Sequence, residues 1–376
     1  METDMKKSCS SNMLFGLASR ILILGTATSA SMAQELRPDS VFNGIASENV
    51  QFAISASYSI GGKAPVVFAS GPTEKGGSIT VAQDARWHIG SISKSFTSTL
   101  VMRLVDRGVL ELDVPIGNYL TFFHDEMHPA WELLSLRQLL SHTSGLPANA
   151  SPRVMRETSG MDAYTGRRVA LSSMWGTPPS GQAGKFIYSN IGYVLAGLVI
   201  EEVTGASWES TILTEIAQPL GLSSLGFGAP QEPNDPRGHK SVFGFKRSVS
   251  PSSPSSDNPK WMGPAGTIHL SLADLATWGQ AHIRACAGKT PNFLSQSRCM
   301  EMQTPIAADY GLGWAITKSG SSGTIVWHSG SNTMWYALLH IVPQTGLSVA
   351  AATNVYAPEQ IDKLVRELSE LLIDGS

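Results

Sequence analysis

The sequence predicts an α+β fold: one antiparallel sheet built from strands at both ends of the chain and flanked by helices, with a mainly helical lobe inserted between them. Three observations predict it. Period-two alternation is confined to the two ends, helical spacing fills the middle, and glycines stand near the expected helix ends. The sheet lobe takes about residues 34–100 and 263–376, and the helical lobe about 101–262. Two such lobes leave a cleft at their junction, where ligand sites commonly form.

The elements follow in chain order. In "VQFAISASYSI", Phe52, Ile54, Ala56, Tyr58 and Ile60 face one way, and Gln51, Ser55, Ser57 and Ser59 the other, which reads as a half-buried strand. Gly61-Gly62 turns the chain and "APVVFASG" returns it as a hairpin partner. Helical spacing then runs through "SKSFTSTLVMRLVDRGVL", "SLRQLLSH", "NIGYVLAGLVIEEVTG" and "SLADLATWGQAHIRA", with Gly108, Gly145 and Gly205 near the expected ends. The stretch "GAPQEPNDPRGHKSVFGFKRSVSPSSPSSDNPK" is rich in Pro, Ser, Gly and charge and reads as a long surface excursion. "GTIVWHSG", "WYALLHIVP" and "LSVAAATN" are three further strands joined by turns. "PEQIDKLVRELSELLI" closes the chain as an amphipathic helix, with Ile361, Leu364, Val365, Leu368, Leu371 and Leu372 on one stripe.

Composition narrows the function classes. The 376 residues are 42% hydrophobic and 15% charged, with a net charge of −3. That suits a globular chain with a large core and offers no basic surface for nucleic acid. Residues 1–33 read as an export signal: Lys6, Lys7 and Arg20 precede the apolar "ILILGTATSA", and Ser31-Met32-Ala33 offers a small-x-small cleavage site. The apolar run is short of the ~20 residues a bilayer span needs. The expectation is a periplasmic or secreted protein of residues 34–376 with no stable membrane span after cleavage. In an oxidising compartment Cys286 and Cys299 either pair or remain two buried thiols.

The chemistry centres on three short segments. Ser91 and Lys94 are three residues apart, so on one turn of a helix they share a face. Burial and the positive end of the helix dipole both favour a neutral amine there. A neutral amine can take the serine proton and make a nucleophile. Among the twelve lysines only Lys94 follows a serine by three residues, and Ser93 points elsewhere. Ser-x-x-Lys is nonetheless common, and serine also caps helices for structural reasons. No G-x-S-x-G nucleophile elbow occurs, which argues against an α/β-hydrolase.

Tyr188-Ser189-Asn190 opens a helix. A tyrosine hydroxyl relays protons if nearby cations depress its pKa, and an asparagine offers a donor and an acceptor to a substrate. A packed tyrosine with an asparagine N-cap is the plain alternative. His328-Ser329-Gly330-Ser331 ends a predicted strand. Its glycine would let a ligand backbone approach, and the N–H of Ser331 with that of Ser91 could form an oxyanion hole.

Other residues carry weaker signals. His124 and His128 frame a group of metal-ligand types in a predicted loop without a third ligand. His142 is expected to tidy a helix end. Trp87, Trp261, Trp314 and Trp327 are candidates to line the cleft, though aromatics more often fill cores.

In this order and spacing, the three segments resemble the serine β-lactamase and DD-peptidase superfamily, in particular the class C β-lactamase-related branch. That branch includes penicillin-binding carboxypeptidases and β-lactamase-like esterases. "IGSISKSFT", "LRQLLSHTSGLP", "YSNIGYVLAGLVIEEVTG", "PLGLSSLGFG", "GPAGTIHLSLADLATW" and "YGLGW" carry the resemblance over roughly residues 50 to 356. It implies a β-lactamase/transpeptidase-like fold. It also implies Ser91 as the acylated nucleophile, Lys94 as its base, and Tyr188 as the partner that protonates the leaving group and helps activate water. Asn190, His328, Ser329, Gly330 and Ser331 would bind substrate. No metal or organic cofactor is needed.

One departure matters. The family's Lys-Thr-Gly triplet is His-Ser-Gly here. Histidine, whose side chain titrates at about 6.5 in free peptides, is only partly charged near neutrality. A site so changed should hold anionic β-lactams less firmly. The expected substrates are small carboxylic esters or amides. A β-lactam or D-amino-acyl peptide is the close competitor. The alternatives are a DD-carboxypeptidase or penicillin-binding protein of cell-wall metabolism, and a non-catalytic binding homologue.

Overall fold

A computed structural model describes residues 37–319 and 323–374. The expected export signal lies outside the described residues.

The N-terminal part comprises α1 (Pro38–Ala46), β1 (Ile54–Ile60), β2 (Val66–Ser70) and β3 (Arg86–His88). A helical stretch follows, with α2 (Ser93–Asp106), α3 (Leu136–Leu140), α4 (Ala163–Trp175) and α5 (Asn190–Thr204). Short strands β4 (Gly226–Phe227), β5 (His239–Val242), β6 (Phe245–Ser248) and β7 (Ile268–Ser271) lead into α6 (Leu272–Cys286). The chain ends with β8 (Ala315–Ser319), β9 (Gly323–Ser331), β10 (Tyr336–Val342), β11 (Leu347–Thr353) and α7 (Pro358–Asp374).

The main sheet runs β2-β1-β11-β10-β9-β8. The two ends of the chain meet where β1 pairs antiparallel with β11, Ile54 opposite Thr353 and Ile60 opposite Leu347. This is the α+β architecture expected from the alternation at both termini. A second sheet, β3-β7-β4, is built from strands of two to four residues, too short to leave a period in the sequence.

The serine face of β1 corrects the half-buried expectation. Ile54, Ala56, Tyr58 and Ile60 do face α1 and α7, but Ser55, Ser57 and Ser59 are also buried. Helix α6 covers them, and it comes close because the residues beneath it are small. A Cβ on Gly279 of α6 would lie 2.9 Å from Ser348 Cβ. Polar atoms beside them are engaged, Ser348 Oγ donating to Ala276 O at 3.0 Å and Gln280 Nε2 to Ser59 O at 2.7 Å, while Ser57 Oγ is buried without a hydrogen-bond partner among the described residues. Alternation alone points such hydroxyls at solvent, but here they serve as small packing surface, with Ser55 Oγ donating to Phe68 O and Ser59 Oγ to Lys63 O at 2.6 Å each.

The Pro- and Ser-rich excursion also does more than cover surface. It forms the β5–β6 hairpin, and two of its carboxylates turn inward. Asp235 accepts from Arg86 Nη2 at 2.6 Å; Asp257 lies 2.8 Å from His88 Nε2 and accepts from Asn332 Nδ2 at 2.9 Å. Cys286 and Cys299 are joined as a disulfide. Trp87, Trp261 and Trp314 belong to the core, while Trp327 lies on the α1–α7 face of the sheet, so none fits the role of cleft lining. Among the described residues no helix is long and apolar enough to cross a membrane.

Candidate active site

The site forms where the turn after β3 crosses the end of β9. Gly90 has φ +50° and starts a 3₁₀ turn, Gly90–Ile92, that runs directly into α2. A Cβ on Gly90 would lie 2.7 Å from the Gly330 carbonyl carbon, and one on Gly330 would lie 2.5 Å from Ser91 N. Only glycine at both positions lets these backbones touch. Gly330 was expected to admit a ligand's backbone; what it admits is the protein's own. The crossing places the main chains of Ser91 and Ser331 side by side, as two oxyanion donors require.

The turn points Ser91 at Lys94. Lys94 Nζ lies 3.1 Å from Ser91 Oγ, 2.7 Å from Asn190 Oδ1 and 2.8 Å from Ala265 O. The two carbonyl acceptors match the two N–H groups of a neutral amine, and its lone pair is left facing the serine hydroxyl. Lys94 is fully buried, and among the described residues no carboxylate pairs with it. Burial therefore pushes its pKa well below the ordinary lysine range. Ser93 faces away: its Oγ donates to Gly90 O at 2.7 Å and accepts from Ile268 N at 3.1 Å.

Tyr188 approaches from the loop before α5, and its phenol comes within reach of the Ser91 side chain. Lys94 Nζ lies 4.8 Å from the centre of its ring. The expectation of a phenol pKa depressed by cations is overturned. Burial raises the phenol well above its usual range despite the pull of Ser91. Ser189, not Asn190, caps α5, accepting from Gly192 N at 3.0 Å. Asn190 is thereby free to accept from Lys94, and its Nδ2 donates to Asn149 Oδ1 at 2.7 Å.

On β9, His328 and Gly330 lie on the buried face of the strand, and Ser329 and Ser331 on the other. His328 Nδ1 lies 2.6 Å from Ser329 O and Nε2 lies 3.0 Å from the Tyr310 hydroxyl. Because a carbonyl only accepts, the proton sits on Nδ1 and Tyr310 donates to Nε2. Burial pulls the imidazole down to about 3. The ring is therefore neutral at physiological pH, a sharper departure from lysine than a solvent-exposed histidine would make. The Ser329 side chain lies beside the Tyr336 phenol, which donates to Asp362 at 2.9 Å, and Ser331 Oγ donates to Trp335 O at 2.6 Å. What Ser331 offers the site is its backbone.

The structure thus brings Ser91, Lys94, Tyr188, Asn190, His328 and the Gly330–Ser331 backbone together. Asn149, Ala265 and Tyr310 join them. Tyr310 opens "YGLGW", a stretch whose resemblance implied no role in the site; Asn149 and the Ala265 carbonyl leave no signal in a single sequence. The His124 segment is taken up structurally: His124 Nδ1 lies 3.2 Å from Glu132, and His128 accepts from Ala130 N at a helix start. Among the described residues no group of three metal-ligating side chains occurs.

Comparison with known proteins agrees with this geometry. Residues 55–371 match the family model described as beta-lactamase. Penicillin-binding protein 4 of Amycolatopsis lactamdurans is 28% identical over 301 residues, covering 76% of each chain. Protein flp of Staphylococcus aureus is longer, and this chain spans 58% of its length. The octameric penicillin-binding protein homologue from Pyrococcus abyssi superposes with a TM-score of 0.74 at 23% identity, over 89% of this chain and 76% of that one. A class C beta lactamase from Rhodobacter sphaeroides gives 0.68 at 19% identity, over 90% and 98% of the two chains. With the match over residues 55–371 and the same architecture, the chain belongs to the beta-lactamase family of serine hydrolases.

Proposed function

We propose that this chain is an exported hydrolase that cleaves small, uncharged carboxylic esters or amides through an acyl-enzyme on Ser91. The observation that carries the proposal is the sealed amine of Lys94, 3.1 Å from Ser91 Oγ, with no carboxylate among the described residues paired with it. As Oγ bonds to the substrate carbonyl carbon, Lys94 takes the serine proton. The carbonyl oxygen becomes an oxyanion held by the N–H groups of Ser91 and Ser331. Tyr188 gives its proton to the leaving oxygen or nitrogen and is reprotonated from Lys94. A phenol raised by burial does not rest as phenolate, so it works as a relay. Water then attacks the acyl carbon, its proton passes back through the same pair, and Ser91 regains its own.

His328 supports the preference for uncharged substrates. Its two ring nitrogens are taken by Ser329 O and Tyr310, and it is neutral. Among the described residues, no arginine or lysine other than Lys94 contacts Ser91, Tyr188, Asn190 or His328. Nothing there matches a carboxylate. The basic and apolar start of the chain, together with the Cys286–Cys299 disulfide, supports export to the periplasm or beyond.

A second reading, a penicillin-binding D-peptidase, is favoured by the 28% identical relative. One panel separates them: a p-nitrophenyl ester, a chromogenic cephalosporin, a D-Ala-D-Ala peptide and its C-terminal amide. Ester and amide turnover that exceeds turnover of the free-carboxylate peptide, lost with Ser91→Ala and kept per folded molecule with Ser93→Ala, supports the hydrolase. A fluorescent penicillin retained on Ser91, with no ester turnover, supports the second reading. Ester turnover unaffected by Ser91→Ala removes both.

A further inference from the structure

His142 follows α3 in the stretch "LLSHTSGLP", and the acyl-transfer scheme gives it no part. It was expected to tidy a helix end, and three features say more. It is fully buried yet has φ +60°, a region that L side chains enter only at an energetic cost. Its carbonyl accepts from Ile187 N at 2.8 Å and its Nδ1 accepts from Ser189 N at 3.0 Å. Its ring centre lies 4.2 Å from that of Tyr188, the shortest of its four aromatic contacts.

A loop anchor alone would explain one of these bonds. Both bonds, however, land on the immediate neighbours of the one tyrosine whose hydroxyl reaches Ser91. The left-handed backbone is what allows the carbonyl and the ring of one residue to reach successive sides of Tyr188. Accepting at Nδ1 puts the ring proton on Nε2. Burial pushes the imidazole well below its ordinary range, which favours the uncharged ring as an acceptor.

We propose that His142 is a positioning residue that fixes the Tyr188 hydroxyl against Ser91 by gripping the chain on both sides of the tyrosine. The inference rests on the relay role given to Tyr188 above. It acts on orientation during chemistry, so its loss belongs in kcat and not in KM.

The test is a double-mutant cycle with Tyr188→Phe on a p-nitrophenyl ester, with folding followed by near-UV circular dichroism. His142→Leu removes the acceptor and should lower kcat by roughly 10- to 100-fold with KM within about twofold. His142→Asn keeps an acceptor at the same place and tolerates the left-handed backbone, so it should stay within about fivefold of wild type. In the Tyr188→Phe background His142→Leu should cost less than about twofold. A loss that persists undiminished in that background overturns the proposal, as does a His142→Leu protein with normal kcat. If the leucine variant does not fold, the asparagine variant carries the cycle: a loss that vanishes with Tyr188→Phe supports the grip, and one that persists overturns it. If Tyr188→Phe alone leaves kcat unchanged, the relay fails and this inference with it. An impaired Tyr188→Phe with additive effects overturns His142 alone.

Discussion

Among the described residues, one lysine and one arginine, Lys94 and Arg167, are fully buried, and they are partnered in opposite ways. Arg167 of α4 meets the carboxylates of Glu201 and Glu209 and donates to Trp261 O at 3.2 Å. Lys94 of α2 meets a hydroxyl, a side-chain amide and a main-chain carbonyl, all uncharged. Removing a charge from water is costly in either place. A guanidinium does not give up its proton in a protein, so its burial is offset by pairing. An ammonium without a counter-ion sheds the proton instead. The fold therefore pairs one buried cation with carboxylates and leaves the other without one, its pKa lowered by burial, 3.1 Å from a serine hydroxyl.

The contrast can be broken most directly at Lys94. Lys94→Met or Ser91→Ala should reduce ester turnover by about 10³-fold or more, since nucleophile and base act as one unit. Turnover within tenfold of wild type would mean that the buried amine is structural after all. Arg167→Met should do the reverse. It strands the buried carboxylate of Glu201 and the partly buried one of Glu209 and should cost about 3–5 kcal/mol of stability, read from the urea midpoint, with kcat per folded molecule nearly unchanged. A catalytic loss at unchanged stability would erase the distinction.

Asn190→Asp sharpens the comparison by giving Lys94 a carboxylate of the kind Arg167 has, 2.7 Å from Nζ. An opposite charge raises an amine's pKa by about 1–3 units. The neutral amine is the active form, so activity is lost as pH falls through its pKa. The acid limb of kcat/KM should therefore move upward, with turnover at neutral pH falling and returning as pH rises. An unmoved limb would show that some other group sets it.

Three buried histidines test the same rule more gently. Burial holds His282 and His328 at about 3 and His269 at about 4. The unfolded chain binds protons below about 6.5, where the folded one does not, so stability falls as pH drops through that value. Each histidine contributes up to about 1.4 kcal/mol per pH unit between its two pKa values. Urea unfolding at stepped pH measures the slope, and a stability flat from pH 7 to 5 would contradict the uncharged assignments.

Much of the fold was legible because it rests on local periodicity. The alternation in Ile54–Ile60, the strands from Gly323 to Thr353 and the apolar stripe of α7 each follow from side-chain spacing and are found where expected. The burial of the serine face of β1 was not legible, because alternation reports two faces and not what covers them. Helix α6, more than 200 residues later in the chain, covers the polar one. In the site, Ser91 and Lys94 were found because a single helical turn relates them. Asn149, the Ala265 carbonyl and the grip of His142 on Tyr188 were not, because each depends on segments brought together by packing alone.

Local spacing determined the order of strands and helices and the Ser91–Lys94 pair, since these depend on neighbours within a turn or a strand, and the family resemblance marked His328 as standing where a lysine is usual. Tertiary structure decided the protonation states. Whether Lys94 and His328 are charged depends on how much water and counter-charge surround them, and that environment is assembled from β3, α2, α5, β9 and the Ala265 segment. Solvation is a property of a folded neighbourhood, and no stretch of sequence carries it alone.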